Sequence, residues 1–263
     1  MKPNKLAGVF LWLAVGVMAL ALVAAAQEKK PQLFFVEDDV VKPAMVAQFE
    51  AVIKEFNAAM LTQFNWPWAM ETYATEDFHY YLCYPMASLT DLDKAFSVFN
   101  EILGKFGEQK WDALNRKLGD TIEYFKQSTI TFSPELSCVP EKPGLKPEEM
   151  KFVYWGFCYV MPGREKEFEA QFKKIAALFK AKNVDHGFNT WVGGIGTELP
   201  LYIYTELGKS AADFFLTSEK AMKILDPEVT KLWNKTLTIM RKYEFKMGTY
   251  RPDLSYAPAA KAK

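Results

Sequence analysis

Residues 41–51 read VKPAMVAQFEA and residues 160–170 read VMPGREKEFEA, so Val, Pro, Phe, Glu and Ala return at the same places 119 residues apart. The two stretches that follow them also end alike, FSPELS at 132–137 and YRPDLS at 250–255. A repeat of this length restricts the chain to folds that can be built twice from one unit.

The second copy is the easier to read. Residues 151–160 (KFVYWGFCYV) form a short apolar and aromatic run, the pattern of a strand covered on both faces. Pro162-Gly163 ends it. Phe168, Phe172, Ile175, Leu178 and Phe179 then recur at helical spacing among Glu and Lys, which predicts an amphipathic helix. His186-Gly187 forms a turn, 188–192 (FNTWV) and 201–205 (LYIYT) read as strands, and Gly193, Gly194 and Gly196 mark the hairpin between them. Residues 210–225 and 227–242 read as helix broken at Asp226-Pro227, and 243–250 as a closing strand. The first copy gives the same order. Strands are expected at 33–36, 69–75, 78–84 and 128–132, and helix faces at Val46–Met60, Leu92–Leu103 and Trp111–Phe125. In this reading Glu37, Asp38 and Asp39 form a solvated turn after the first strand.

The predicted fold class is α+β, two tandem ferredoxin-like β-α-β-β-α-β units. Their strands are apolar on both faces, so the two sheets are expected to cover each other and spare an aggregation-prone surface. The expected boundaries are a signal peptide at 1–26, a first repeat at 27–137, a linker at 138–150 (CVPEKPGLKPEE), a second repeat at 151–255 and a disordered tail at 256–263. Residues 6–26 are uncharged, follow two lysines and end in Ala24-Ala25-Ala26, which suits an export signal. The expected location is periplasmic or secreted, with a membrane association only if that segment is not cleaved. Export permits disulfides, but Cys83, Cys138 and Cys158 are odd in number. Their pairing is left open, with burial as free thiols expected for Cys83 and Cys158.

Two tandem units, each opening with a strand, a proline and a helix, resemble the dimeric α+β barrel superfamily, including its NIPSNAP-like and antibiotic-biosynthesis-monooxygenase-like groups. The resemblance covers about residues 33–255 and implies a barrel built within one chain. It also implies a spread of activities: cofactor-free oxygenases, haem-handling proteins, small-molecule isomerases and proteins of unassigned role. Fold alone does not choose among them.

Chemistry-bearing motifs are sparse. The 32 basic and 32 acidic residues balance, which speaks against a nucleic-acid partner. No phosphate loop, nucleophile elbow or CxxC spacing occurs, and two distant histidines do not make a zinc site. No catalytic residue and no metal ligand is assigned. Aromatic residues in the strands could line a pocket for a small apolar or aromatic ligand. The binding candidates are His79, His186, Tyr154, Trp155, Trp191 and Tyr204. The expectation is therefore a non-catalytic exported binder or interaction module, monomer or homodimer. The alternative is a cofactor-free oxygenase-like or haem-dependent enzyme, for which His79 or His186 must face the cavity.

Overall fold

The computed structural model describes residues 30–140 and 145–258. The expected export signal lies outside the described residues, as do residues 259–263 of the expected tail. The element order is β1 (Gln32–Val41), α1 (Val46–Phe56), β2 (Glu71–Thr75), β3 (His79–Met86), α2 (Thr90–Phe106), α3 (Glu108–Thr121), β4 (Ile122–Phe132), β5 (Phe152–Val160), α4 (Glu165–Ala181), β6 (Asn189–Gly193), β7 (Leu201–Gly208), α5 (Ala211–Leu225), α6 (Glu228–Leu237) and β8 (Met240–Tyr250). The hydrogen-bonded strand order is β1-β3-β2-β8-β5-β7-β6-β4, closed on itself as a barrel. The α+β class and the β-α-β-β-α-β order expected from the sequence are both present.

The chain divides into two compact units. One, the C unit, holds Thr129–Thr249; the other, the N unit, holds Leu33–Ser128 and the segment from Tyr250 onward.

In the C unit β5 runs antiparallel to both β7 and β8, with Gly156 opposite Tyr204 on one side and Phe245 on the other. Successive side chains alternate between faces. One face carries Tyr154, Gly156, Cys158 and Val160 from β5 with Tyr202, Tyr204 and Glu206 from β7. Helix α4 packs on that face through Phe168, Gln171, Phe172, Ile175, Ala176 and Phe179, a stripe at the three- and four-residue spacing of an amphipathic helix. Phe168 lies against Tyr202, ring centroids 4.5 Å apart. Helix α5 starts at the Ser210 cap, whose Oγ accepts from the Asp213 amide, while Asp213 Oδ2 accepts from the Lys209 amide.

In the N unit α1 buries Phe49, Val52 and Ile53, and Phe49 packs on Tyr80 of β3. Gly107 separates α2 from α3 at φ 97°, a conformation that costs glycine little.

The matching end motifs make matching bonds within their units. In the C unit Ser137 Oγ donates to the Ser133 carbonyl at 2.7 Å and accepts from the Thr190 amide at 2.8 Å. Thr190 Oγ1 donates to the Leu136 carbonyl at 2.9 Å. In the N unit Ser255 Oγ donates to the Arg251 carbonyl at 2.8 Å and accepts from the Thr72 amide at 2.9 Å. Thr72 Oγ1 donates to the Leu254 carbonyl at 3.1 Å. Both threonines are fully buried, where an unpaired hydroxyl or amide would be costly.

Several expectations are corrected. Helix α3 ends at Thr121, and Ile122 is already extended at φ −98°, ψ 152°. Phe125, expected on the helix face, is a largely exposed residue of β4. The run Ile122-Glu123-Tyr124-Phe125 is rich in strand formers, and these outweigh a helical spacing that continues by coincidence. The last helix likewise stops at Leu237, and β8 begins at Met240. Tyr256, expected to open a disordered tail, is buried, pairs with Met70 and donates its hydroxyl to the Trp66 carbonyl at 2.9 Å. The three cysteines are free thiols, with Cys138 and Cys158 buried and Cys83 partly so.

The largest correction concerns the acids after the first strand. Glu37, Asp38 and Asp39 are not a turn: they lie within β1, opposite Leu82, Tyr81 and Tyr80. The aromatic strand β3 needs a hydrogen-bonded neighbour along its length, and β1 supplies it. Asp38 Oδ1 meets His79 Nδ1 at 2.7 Å. Glu37 accepts from Gln127 Nε2 at 2.7 Å. Asp39 is 2% exposed, and its Oδ2 has no hydrogen-bond partner among the described residues. Burial, then the charges of Glu37 and Asp38, push its carboxyl up to about 8.

That shift makes stability depend on pH. An unfolded aspartate titrates near 4, about four units lower. The contribution from Asp39 is intact below that value and is lost as pH rises toward about 8. Asp39→Asn should therefore raise Tm by about 5 °C at pH 8 and by much less at pH 4.5. Thermal melts at both values check this, and equal shifts would contradict it.

Candidate functional site

The helix-facing side of the C unit holds an open cavity of about 270 Å³. Helix α4 lines it with Phe172, Ile175 and Phe179, the chain before β6 with Phe188, and β7 with Tyr204 and Glu206. Met222 of α5 and Val229, Thr230 and Trp233 of α6 complete it. Within this lining Glu206 is the one ionisable carboxyl, and no Lys, Arg or His is present. Apolar walls with a few placed polar groups are the composition of a small-molecule site.

Behind each polar wall group stands a partner. Oε2 of Glu206 is hydrogen-bonded to Nε2 of His186, a residue only 8% exposed in the turn between α4 and β6. This bond fixes the carboxyl group of Glu206 through one of its two oxygens. Tyr204 Oη is 2.6 Å from Tyr243 Oη, and Tyr243 Oη is 3.0 Å from Tyr154 Oη. Trp233 meets Tyr204 and Tyr243 edge-on at 6.0 and 5.5 Å. Burial is the main cause that raises the Tyr204 and Tyr243 hydroxyls well above the usual phenol range, so both are neutral at physiological pH.

Gly156 makes this arrangement possible. A Cβ at 156 would stand 2.2 Å from Cε1 of Tyr204 and 2.4 Å from its Cζ. The ring therefore lies over bare backbone, which lets its hydroxyl reach Tyr243.

The six binding candidates separate in space. Tyr204 lines the cavity, and His186 and Tyr154 stand behind it. Phe214 links the last two, stacked on Tyr154 at 5.3 Å and 6.0 Å from the His186 ring. Trp155 and Trp191 are buried but belong to the opposite sheet face: Trp155 pairs with Thr205, and Trp191 Nε1 donates to Thr205 Oγ1 at 3.3 Å. His79 lies in the N unit, held by Asp38. The residues not anticipated are Glu206, Trp233, Tyr243 and Gly156. Glu206 had a legible signal, because Tyr202, Tyr204 and Glu206 alternate along one strand and must share a face.

Neither a family model nor a curated protein matches the sequence. Solved structures match the fold. An anthrone oxidase-like protein aligns with a TM-score of 0.57 at 12% identity, over 86% of this chain and 93% of its own. A monooxygenase-like protein from Fusobacterium nucleatum subsp. nucleatum aligns with 0.51 at 11% identity, over 84% and 92%. Another from Lactobacillus acidophilus NCFM aligns with 0.50 at 9% identity, over 86% and 96%. The chain shares its fold with these three structures over most of its length. The expected non-catalytic role is corrected by this finding, since the structures that share the fold over most of the chain are oxidase- and monooxygenase-like.

Haem, the cofactor raised with the enzyme alternative, does not fit this cavity. A haem needs an axial side chain and partners for its propionates. His186 gives Nε2 to Glu206 and is not part of the lining, and the lining offers no cation.

Gly156→Ala should drive the Tyr204 ring toward the cavity and break its bond to Tyr243, at a cost of about 1–3 kcal/mol typical of overpacking. Denaturant unfolding measures the cost. A variant of wild-type stability with the Tyr204–Tyr243 bond intact in its crystal structure would refute the tight approach.

Proposed function

We propose that the C unit is a cofactor-free oxygenase-like enzyme that oxidises a small, uncharged aromatic substrate with dioxygen. The observation that carries this reading is Glu206, a single carboxylate held by His186 in an otherwise apolar and aromatic cavity beside the Tyr204 hydroxyl. The oxidase- and monooxygenase-like proteins of the same fold support it.

The chemistry follows from the groups present. A suitable substrate has a CH2 made acidic by adjacent rings and a carbonyl conjugated with it. Glu206 removes one proton as general base, with His186 orienting the carboxylate. The negative charge moves to the substrate carbonyl oxygen, where the Tyr204 hydroxyl can donate a hydrogen bond to it. The resulting carbanion is the reductant. It passes an electron to dioxygen, the two radicals join in a carbon–oxygen bond, and a proton completes a hydroperoxide. Loss of water then leaves a ketone. One oxygen atom ends in the new carbonyl and the other in water, so the four-electron oxidation of carbon balances the four-electron reduction of dioxygen.

The chain is an internal duplication in which the C unit kept the reactive cavity, and residues 1–26 direct its export to the periplasm or medium. Of the two groups named from the sequence, the monooxygenase-like one is carried forward.

Anthrone in air-saturated buffer is a suitable probe, followed by the absorbance of anthraquinone. The wild-type chain should exceed the buffer rate, and Glu206→Gln should lower the enzymatic rate by about 10²–10⁴-fold, the usual contribution of a general base. A wild-type rate equal to that of buffer would count against this function.

A further inference from the structure

The three tyrosine hydroxyls of the C unit form a chain that the base chemistry above does not require. Tyr204 lines the cavity, its Oη lies 2.6 Å from Tyr243 Oη, and Tyr154 Oη lies 3.0 Å further on. Both spacings are hydrogen-bond distances. The path leads outward: Tyr154 and Tyr243 are partly exposed, and Tyr154 stacks at 5.8 Å on Phe245, which is 57% exposed. Three different strands, β7, β8 and β5, supply the three residues. Register alone does not bring the three hydroxyls together. Gly156 opposite Tyr204 and the edge-on Trp233 define where the rings lie.

We propose that Tyr154, Tyr243 and Tyr204 are a proton relay between solvent and the cavity, with Tyr243 as the positioning residue that couples the other two. The relay rests on the oxygenase reading and supplies the step that reading leaves open, the protonation of the peroxide oxygen. A hydroxyl carries one proton and two lone pairs, so each can accept one hydrogen bond while donating another. Tyr204 gives its proton to the peroxide oxygen, Tyr243 gives its own to Tyr204, and Tyr154 gives its own to Tyr243. Water restores Tyr154. One proton is transferred from water to peroxide, and no tyrosine remains ionised. The hydroxide left in solvent is balanced when Glu206 returns the proton it took from carbon and is again a base for the next turnover. A separate donor allows the two transfers to occur in order at one site.

The test uses the full chain with Tyr243→Phe and Tyr154→Phe, changes that keep the rings and remove one oxygen each. With anthrone, kcat should fall about tenfold in either variant while KM changes less than twofold. The solvent deuterium isotope effect on kcat should rise, because proton delivery becomes rate-limiting. Unchanged kcat and isotope effect would overturn the relay. A second measurement does not depend on turnover. In chains labelled with ¹³C at tyrosine Cζ, deuterium exchange of the Tyr204 hydroxyl should slow at least tenfold in Tyr154→Phe. Exchange at the wild-type rate would overturn the relay even if anthrone is oxidised. Slowed exchange without any anthrone oxidation would uphold the relay and place the failure on the oxygenase reading.

Discussion

The alternation of β7 under α4 and α6 is the constraint on which the C unit's chemistry depends. Tyr202, Tyr204 and Glu206 must share a face because a strand repeats every two residues. The same face must be buried, because α4 brings six side chains down on it. An acid fixed by that geometry in an apolar layer needs a partner. His186, at the turn that ends α4 and leads to β6, provides it. Gly156 contributes no side chain to the sheet surface, so Tyr204 lies back over the backbone.

The N unit has the same frame with different contents. Tyr80 donates to Glu50 of α1 at 2.7 Å, and Tyr202 donates to Glu169 of α4 at 2.8 Å. The neighbouring register positions then diverge. Glu37 is opposite Leu82 in the N unit, whereas Gly156 is opposite Tyr204 in the C unit. Asp39 is opposite Tyr80, and Cys158 is opposite Tyr202. Where the C unit has bare backbone and a thiol, the N unit therefore has two carboxyls, both raised by burial. The tyrosine at the frame position is structural in both units. The groups opposite it and two residues along distinguish the face of the C unit from the acidic one of the N unit.

Much of the frame was legible in the sequence because hydrophobic period reports burial directly. The stripe from Phe168 to Phe179 and the runs at 151–160 and 201–205 could hardly form anything else. Errors arose where period and propensity disagree, as at Ile122 and Phe125, or where a local rule met a tertiary demand. Three acids in a row read as a turn, yet β3 required a partner strand there. The candidate site was legible only in part. Tyr154, Tyr204 and His186 were singled out as aromatic or titratable residues near strands. Trp155 and Trp191 were singled out for the same reason, although parity along β5 and β6 assigns them to the other face. Tyr243 and Trp233 carried no signal, since their roles depend on packing between α6 and β8 that no spacing encodes.

The lining also restricts what the cavity can accept. With one carboxylate and no cation around it, an anionic ligand would lose its hydration without gaining a partner, and the carboxylate would repel it. A neutral, flat molecule can replace water against Phe172, Phe179, Phe188 and Trp233 at little electrostatic cost. The same reasoning bears on the oxidant. Dioxygen is small and apolar and can share such a space, whereas a charged nicotinamide or flavin phosphate would need the cations the lining lacks. In the proposed oxidation the electrons then come from the substrate, which gives them up readily only after it has lost a proton. The pairing of His186 with Glu206 is therefore the feature on which the proposed oxidation depends: it fixes the orientation of the single carboxyl group that the apolar lining contains.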